Sequence, residues 1–315
     1  MVRTLALQAE SKNTNYMKIL ISGASGLVGK HLIPTLLAKG HEVYKLVRKT
    51  PKSSDEIEWD AEQGFSETEQ AKLENFDAVV HLAGDNVASE NWSDEKKRKI
   101  KDSRVVGTRV FVDALKRAKN PPKIFVSASA IGFYGDRQDE ILTEDSEQGE
   151  GFLTDVCTAW EDEIEKAEEF ARVVFLRIGV VLAKDGGALE KMLTPFKFGV
   201  GGTIGSGRQW MSWIALDDLI KLIHFALENE NLRGAVNAVA PNPVTNAEFT
   251  ETLGRVLHRP TVLPVPAFAI KLLFGEMGET LILKGARVLP KKLEDAGFEF
   301  EFTNLEDAMK EVLDN

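Results

Sequence analysis

The sequence predicts a doubly wound α/β fold, a parallel sheet with helices on both faces, followed by a smaller C-terminal lobe. Short apolar runs alternate with amphipathic stretches of helical period. The first apolar run ends in a glycine loop that opens a helix. After residue 180 the alternation gives way to a glycine-rich stretch and scattered prolines.

Lys18-Ile-Leu-Ile-Ser22 reads as the first strand. The next helix has apolar positions at Leu32, Ile33, Leu36 and Leu37 and closes at Gly40, and Val43–Val47 is the second strand. Together they make a βαβ unit of about thirty residues, the size such a crossover requires. Further strands are expected at Ala78–Leu82, Lys123–Ala128 and Val173–Ile178. A long helix is expected from Ser93, a capping residue followed by Asp94 and Glu95, to Lys119. Its apolar positions Val106, Val110, Phe111, Ala114 and Leu115 recur at a period of about 3.6. Another helix runs from Asp155 to Phe170. Gly199, Gly201, Gly202, Gly205 and Gly207, with prolines at 241, 243, 260, 264 and 266, mark the lobe. The apolar run from Val262 to Phe274 is broken by Pro264, Pro266 and Lys271 and reads as a packed helix rather than a membrane span.

The expected organisation is a disordered lead-in over residues 1–16, which lacks the apolar centre of a secretory signal. A sheet domain covers 17–180, late strands and helices over 181–258 interleave with the lobe, and a C-terminal module covers 259–315. A formal net charge of −10, from 49 acids against 39 bases, argues against a nucleic-acid partner. No membrane partner is expected either. A single cysteine, Cys157, excludes an internal disulfide or a cysteine metal cluster, and five scattered histidines show no ligand spacing. No metal is expected, and a reducing cytoplasm fits best.

Gly23-Ala24-Ser25-Gly26-Leu27-Val28-Gly29 spells GxxGxxG directly between strand and helix. Glycines there let backbone N–H groups reach a pyrophosphate at the positive end of the helix, and the last one permits close helix–strand packing. The other reading is a tight βα turn without a ligand; the context favours a dinucleotide. The second strand ends Val47-Arg48-Lys49, with no acid before Asp55 to hold a ribose diol. Arg48 suits the 2′-phosphate of NADP(H), a planar fork meeting a dianion, although a solvated basic turn is the plain alternative. Small residues in Leu82-Ala83-Gly84, after His81, would let the cofactor lie against the backbone, with His81 a packed strand residue. Arg104, on the long helix, is a second cation for this cleft or a surface ion-pair member.

These residues resemble the extended short-chain dehydrogenase/reductase superfamily, whose sheet is the Rossmann fold. The resemblance includes Ser127-Ala-Ser129-Ala-Ile-Gly-Phe-Tyr134-Gly135-Asp136. It is closer to the atypical "epimerase family" branch, whose hallmarks stand as Gly186-Gly187-Ala188-Leu189, Gly205-Ser-Gly-Arg208-Gln209-Trp210-Met-Ser-Trp213-Ile214 and Ala240–Phe249. The stretch from Arg259-Pro260 to Phe300 resembles that branch's short extra module, and the likeness runs from Met17 to the end. The resemblance implies a tyrosine and, four residues later, a lysine that lowers the tyrosine's pKa for proton exchange. Anchored on Glu161, those positions fall on Leu153 and Cys157, so the usual pair is absent. Ser129 matches the superfamily serine that bonds the reacting oxygen, or is a strand-end hydroxyl satisfying local backbone. Tyr134 matches a tyrosine that lines the pocket; a rescue role in proton transfer is the alternative. Cys157, without an identifiable base, reads as buried and inert.

Arg208, Gln209, Trp210 and Trp213 combine a cation with two indoles and suggest a substrate-pocket wall for a small molecule; a lobe-packing loop is the alternative. Asp217 and Asp218 read as the first turn of a helix. Extended relatives often dimerise through the helices matching Ser93–Lys119 and Asp155–Phe170, which suggests a homodimer by analogy. Two functions follow: an NADP-dependent oxidoreductase or epimerase-like enzyme acting on a small polar substrate, or a non-catalytic NADP(H)-binding redox sensor or assembly factor.

Overall fold

The computed structural model describes residues 16–314. The lead-in read over 1–16 lies, apart from Tyr16, outside them. The centre is an all-parallel sheet of seven strands: β1 (Lys18–Ser22), β2 (Glu42–Val47), β3 (Glu56–Glu58), β4 (Ala78–His81), β5 (Ile124–Ala130), β6 (Arg172–Ile178) and β7 (Gly234–Ala238). Their order is β7-β6-β5-β4-β1-β2-β3, so growth of the sheet reverses between β1 and β4. The register pairs Ile19 with Val43 on one side and Ala78 on the other.

The larger helices are α1 (Leu27–Ala38), α2 (Asp94–Lys116), α3 (Phe152–Glu165), α4 (Gly187–Lys197), α5 (Leu216–Glu228), α6 (Asn246–Val256), α7 (Ala267–Leu281) and α8 (Leu305–Asp314). Successive strand residues point to opposite faces, so continuous apolar strands feed two cores. Ile19, Ile21, Val80 and Val126 pack with Leu32 and Leu36 of α1 and Leu219 and Ile223 of α5. Leu20, Val79 and Phe125 face the other way, onto Phe111 and Leu115 of α2 and Trp160 and Ile164 of α3.

The expected helix from Ser93 begins as read, with the Ser93 hydroxyl accepting from the Lys96 amide, but its regular part ends at Lys116. The helix expected from Asp155 starts at Phe152, because Gly151, at φ +114, turns the chain into it, and its end tightens to a 3-10 turn over Lys166–Glu169. Two strands of the seven-stranded sheet escaped the sequence reading. β3 has one inward residue, Ile57, between two glutamates, and β7 carries Asn237 in its buried run.

The C-terminal module does not stand apart from the sheet. Leu293 and Phe298 join the α1–α5 core, while Leu305, Ala308 and Met309 of α8 close a separate core over Leu182 and Trp213. Asp218, wholly buried in the first turn of α5, accepts from the amides of Glu301 and Phe302 at 2.8 and 3.0 Å. The helix expected over Val262–Phe274 begins only after Pro266 and is packed on one side. Ile270 and Met277 are buried, whereas Phe268 and Leu272 are 72% and 83% exposed. Among the described residues no helix is long and apolar enough to cross a membrane.

Candidate functional site

The loop from β1 to α1 crosses the β1–β4 junction, where an open parallel sheet leaves a crevice beyond its strand ends. Gly23 has φ +71, and a Cβ on it would lie 2.7 Å from the Leu82 carbonyl and 2.9 Å from the Ala83 nitrogen. Gly29 is equally confined, its Cβ position 2.5 Å from the Gly23 oxygen. Both glycines set the loop against the backbone. Gly26 is different: with Ser25 it is exposed, and its only close neighbour is the Gly23 oxygen at 3.2 Å. α1 starts there with no side-chain cap and no acid in its first turn. Its first amides, Leu27 and Val28 among them, have no helical acceptor, so the positive end of the helix is free to hold a diphosphate.

Ser22 ties the two strand ends together. Its hydroxyl accepts from the amides of Leu82 and Ala83 at 3.1 and 3.2 Å and meets His81 Nδ1 at 2.6 Å. His81 Nε2 continues to the Thr108 hydroxyl at 3.0 Å, which accepts from the Trp160 indole at 2.9 Å. Complete burial pushes His81 down to about 3, so it stays neutral. It is a strut between strand and helix.

Arg48 follows β2 directly, and among the described residues no carboxylate pairs with it. Asp55, the first acid beyond the strand, is bonded to Lys45 at 2.8 Å. Arg104 lies between α2 and the end of β4: a Cβ on Gly84 would meet its guanidinium carbon at 3.2 Å.

The two hydroxyls expected near the chemistry belong to one buried network. Ser129 donates to Glu161 Oε1 at 2.5 Å. Arg177 grips the same carboxylate with two prongs, at 3.0 and 2.7 Å, and donates to the Tyr134 hydroxyl at 2.9 Å. Tyr134 gives its proton to Asn237 Oδ1 at 2.7 Å. Tyr134 is wholly buried, and burial raises its pKa, with the Arg177 charge opposing in part. That corrects the alternative of Tyr134 as a proton carrier: its hydroxyl joins β6 to β7 and meets no open space. Ser129, 3% exposed, spends its proton on Glu161 and keeps lone pairs only. Leu153 and Cys157 pack together against Gly132. Burial, aided by the Glu161 charge, pushes the Cys157 thiol up to about 12, so it is an inert thiol.

The loop expected to line a substrate pocket divides. Trp213 is wholly buried among Phe249, Leu305 and Met309, its indole donating to the Asn242 carbonyl at 3.0 Å. It packs the lobe and is no pocket wall, because its strand, Trp213–Ala215, pairs with Val180–Leu182 beneath α8. Gln209 donates to the carbonyls of Ile204 and Ile282, both at 3.1 Å, and so fastens the loop to the end of α7. Trp210 bonds Asp139 at 2.9 Å and lies under the Arg287 guanidinium at 4.4 Å. Arg208 is exposed, with no carboxylate partner among the described residues. Sequence reasoning missed Arg177, Asn237 and Arg287, which meet their partners only through the fold, and used Glu161 merely as an alignment anchor.

The model of the NAD dependent epimerase/dehydratase family matches residues 19–238. The chain belongs to this family. A second model, described only as a domain of unknown function, matches residues 265–312. Among relatives within the family, an epimerase family protein of Mycobacterium bovis is 41% identical over 292 residues, covering 92% of this chain and 96% of its own. A chloroplastic epimerase family protein of Arabidopsis thaliana is 39% identical, covering 99% of this chain and 91% of its own. A crystal structure of the human epimerase family protein with NADPH superposes with a TM-score of 0.86 at 34% identity, covering 95% of this chain and all of that one. These likenesses place the chain in the atypical extended branch and bear out the Rossmann-type sheet read from the sequence.

Proposed function

We propose that the protein binds NADP(H) in the β1–β4 crevice and serves as an oxidoreductase or epimerase-like enzyme on a small polar substrate, without the Tyr–Lys pair. The observation that carries this reading is the uncapped, acid-free start of α1 beside two glycines that no other residue could replace. Gly23, Ser25, Gly26, Leu27, Val28 and Gly29 would hold the diphosphate, Leu82 and Ala83 the adenosine side, and Arg48 the 2′-phosphate, with Gly84 at the passage toward the nicotinamide. The human relative's structure with NADPH supports the phosphorylated form. A bound nicotinamide supplies or takes a hydride; the chain's residues would orient it and the substrate. Ser129, its own proton given to Glu161, would accept a hydrogen bond from a substrate hydroxyl. Arg208 and Trp210 are the members of the lobe loop left to meet substrate. The proposed setting is the cytoplasm.

Titration following energy transfer from the tryptophans to NADPH tests the cofactor. We expect NADPH to bind more tightly than NADH and Arg48→Met to erase that preference. Absence of affinity for either would overturn the reading. Turnover is tested by loss of NADPH absorbance across a panel of aldehydes and ketones, where Ser129→Ala should slow any reaction found. The second reading, an NADP(H)-binding redox sensor or assembly factor, is favoured by the burial of both candidate hydroxyls in the Arg177 network. Binding without turnover across the panel would select it.

A further inference from the structure

The helix position that the superfamily gives to a lysine holds Cys157 here, yet a cation approaches the same place from the neighbouring helix. Arg104 shares a face of α2 with Ile100 and Thr108, one turn to either side. Its Nη1 donates to the Ile100 carbonyl at 3.0 Å, and its guanidinium lies over the Trp160 indole, 5.2 Å from the ring centre. A Cβ on Gly84 would stand 3.2 Å from the guanidinium carbon, so a side chain there would push the group aside by a few tenths of an ångström. Its charge is also felt by Cys157, which packs on Gly132. Arg104 therefore lies between the end of β4 and the part of α3 that carries Trp160, one turn from Cys157.

Among the described residues no carboxylate pairs with this charge. Asp85, the acid whose field reaches it, is bonded to Lys96. Partial burial lowers the Arg104 pKa, with the Asp85 charge opposing. A half-buried guanidinium, lying over an indole and without a carboxylate partner among the described residues, has donors left for an anionic or hydroxyl acceptor.

We infer that Arg104 contacts the nicotinamide-ribose half of the dinucleotide and brings to the reacting end the positive charge that a lysine at position 157 would have carried. This rests on the NADP(H) reading and divides the cofactor between two arginines: Arg48 for the adenosine 2′-phosphate, Arg104 for the opposite end. Gly84 has a second purpose in this arrangement, which is to leave the guanidinium room.

The test compares two probes by calorimetric titration: NADPH, and 2′,5′-ADP, which carries only the adenosine half. Arg104→Met should weaken NADPH by about tenfold or more, the worth of a charged hydrogen bond, while leaving 2′,5′-ADP within about twofold. Arg48→Met should weaken both probes. Arg104→Lys, which keeps the charge and the fold if the methionine variant does not, should recover part of the NADPH affinity. An unchanged NADPH affinity in a folded variant at position 104 would overturn the inference. So would equal weakening of both probes, which would move Arg104 to the shared phosphates or to the scaffold. Wild-type protein that binds neither probe would instead remove the cofactor reading itself, and this inference with it.

Discussion

At the residue scale, the three loop glycines do different work and should fail differently. Gly23 and Gly29 are wedged against backbone, so Gly29→Ala forces the loop apart and should cost about 1–3 kcal/mol in urea unfolding. Around Gly26 only the Gly23 oxygen crowds a Cβ, at 3.2 Å, and the rest of the site is exposed. Gly26→Ala should fold with little change in melting temperature and lose about tenfold or more in NADPH affinity as the methyl group holds the phosphates away. A Gly26→Ala protein that binds normally would show that the crevice is not where the dinucleotide lies. The Arg177 network makes the contrary case. Arg177→Met leaves the Glu161 carboxylate buried without its cation, with only the Ser129 hydroxyl still donating, and should cost about 3–5 kcal/mol in chemical denaturation, against about 1 kcal/mol for Tyr134→Phe. Should Tyr134→Phe keep full stability while abolishing a measured turnover, Tyr134 would return to the chemistry. The glycine loop was legible because its requirement is local, one backbone turn between adjacent elements. Tyr134 and Trp213 misled because a side chain's use depends on what packs against it, and their neighbours Arg177, Asn237 and Asn242 lie far away in sequence.

At the element scale, α1 and α5 meet β2 through a pair of buried histidines. The Met17 amide donates to His41 Nδ1, the two Nε2 atoms stand 3.4 Å apart, and His224 Nδ1 faces Glu228 at 3.2 Å. Burial lowers both pKa values below 6.5, with Glu228 opposing and Lys39 reinforcing the fall. The unfolded chain therefore binds more protons than the fold in the interval below 6.5, and stability rises with pH across it. Their contribution is complete above that value and lost as the pH drops. Melting curves between about pH 7.5 and 5 should fall more steeply for wild type than for His41→Asn, which keeps an acceptor for the Met17 amide. Parallel curves would remove the histidines from the account. Elements whose period ran long, such as α2, were visible in the sequence to within a turn. β3 and β7 were not, because a three-residue edge strand and a strand with a buried asparagine give no run of apolar residues to read.

At the scale of the whole molecule, the matched family model ends at residue 238, but the cores do not. Leu293 and Phe298 fill space against α1 and α5, and α8 roofs Trp213. A chain cut after residue 258 should expose both surfaces and appear in the insoluble fraction, or as a state that binds a hydrophobic dye; a soluble, cooperatively unfolding fragment would contradict this. Asp218 sharpens the point. Its carboxylate is held inside the protein by two amides contributed more than eighty residues downstream, at 301 and 302. Until residues 301 and 302 are made, the acid in the first turn of α5 lacks the two amides that hold it, so the start of α5 is expected to settle into its buried place only once that distant segment has docked, as a latch closes on a door already hung.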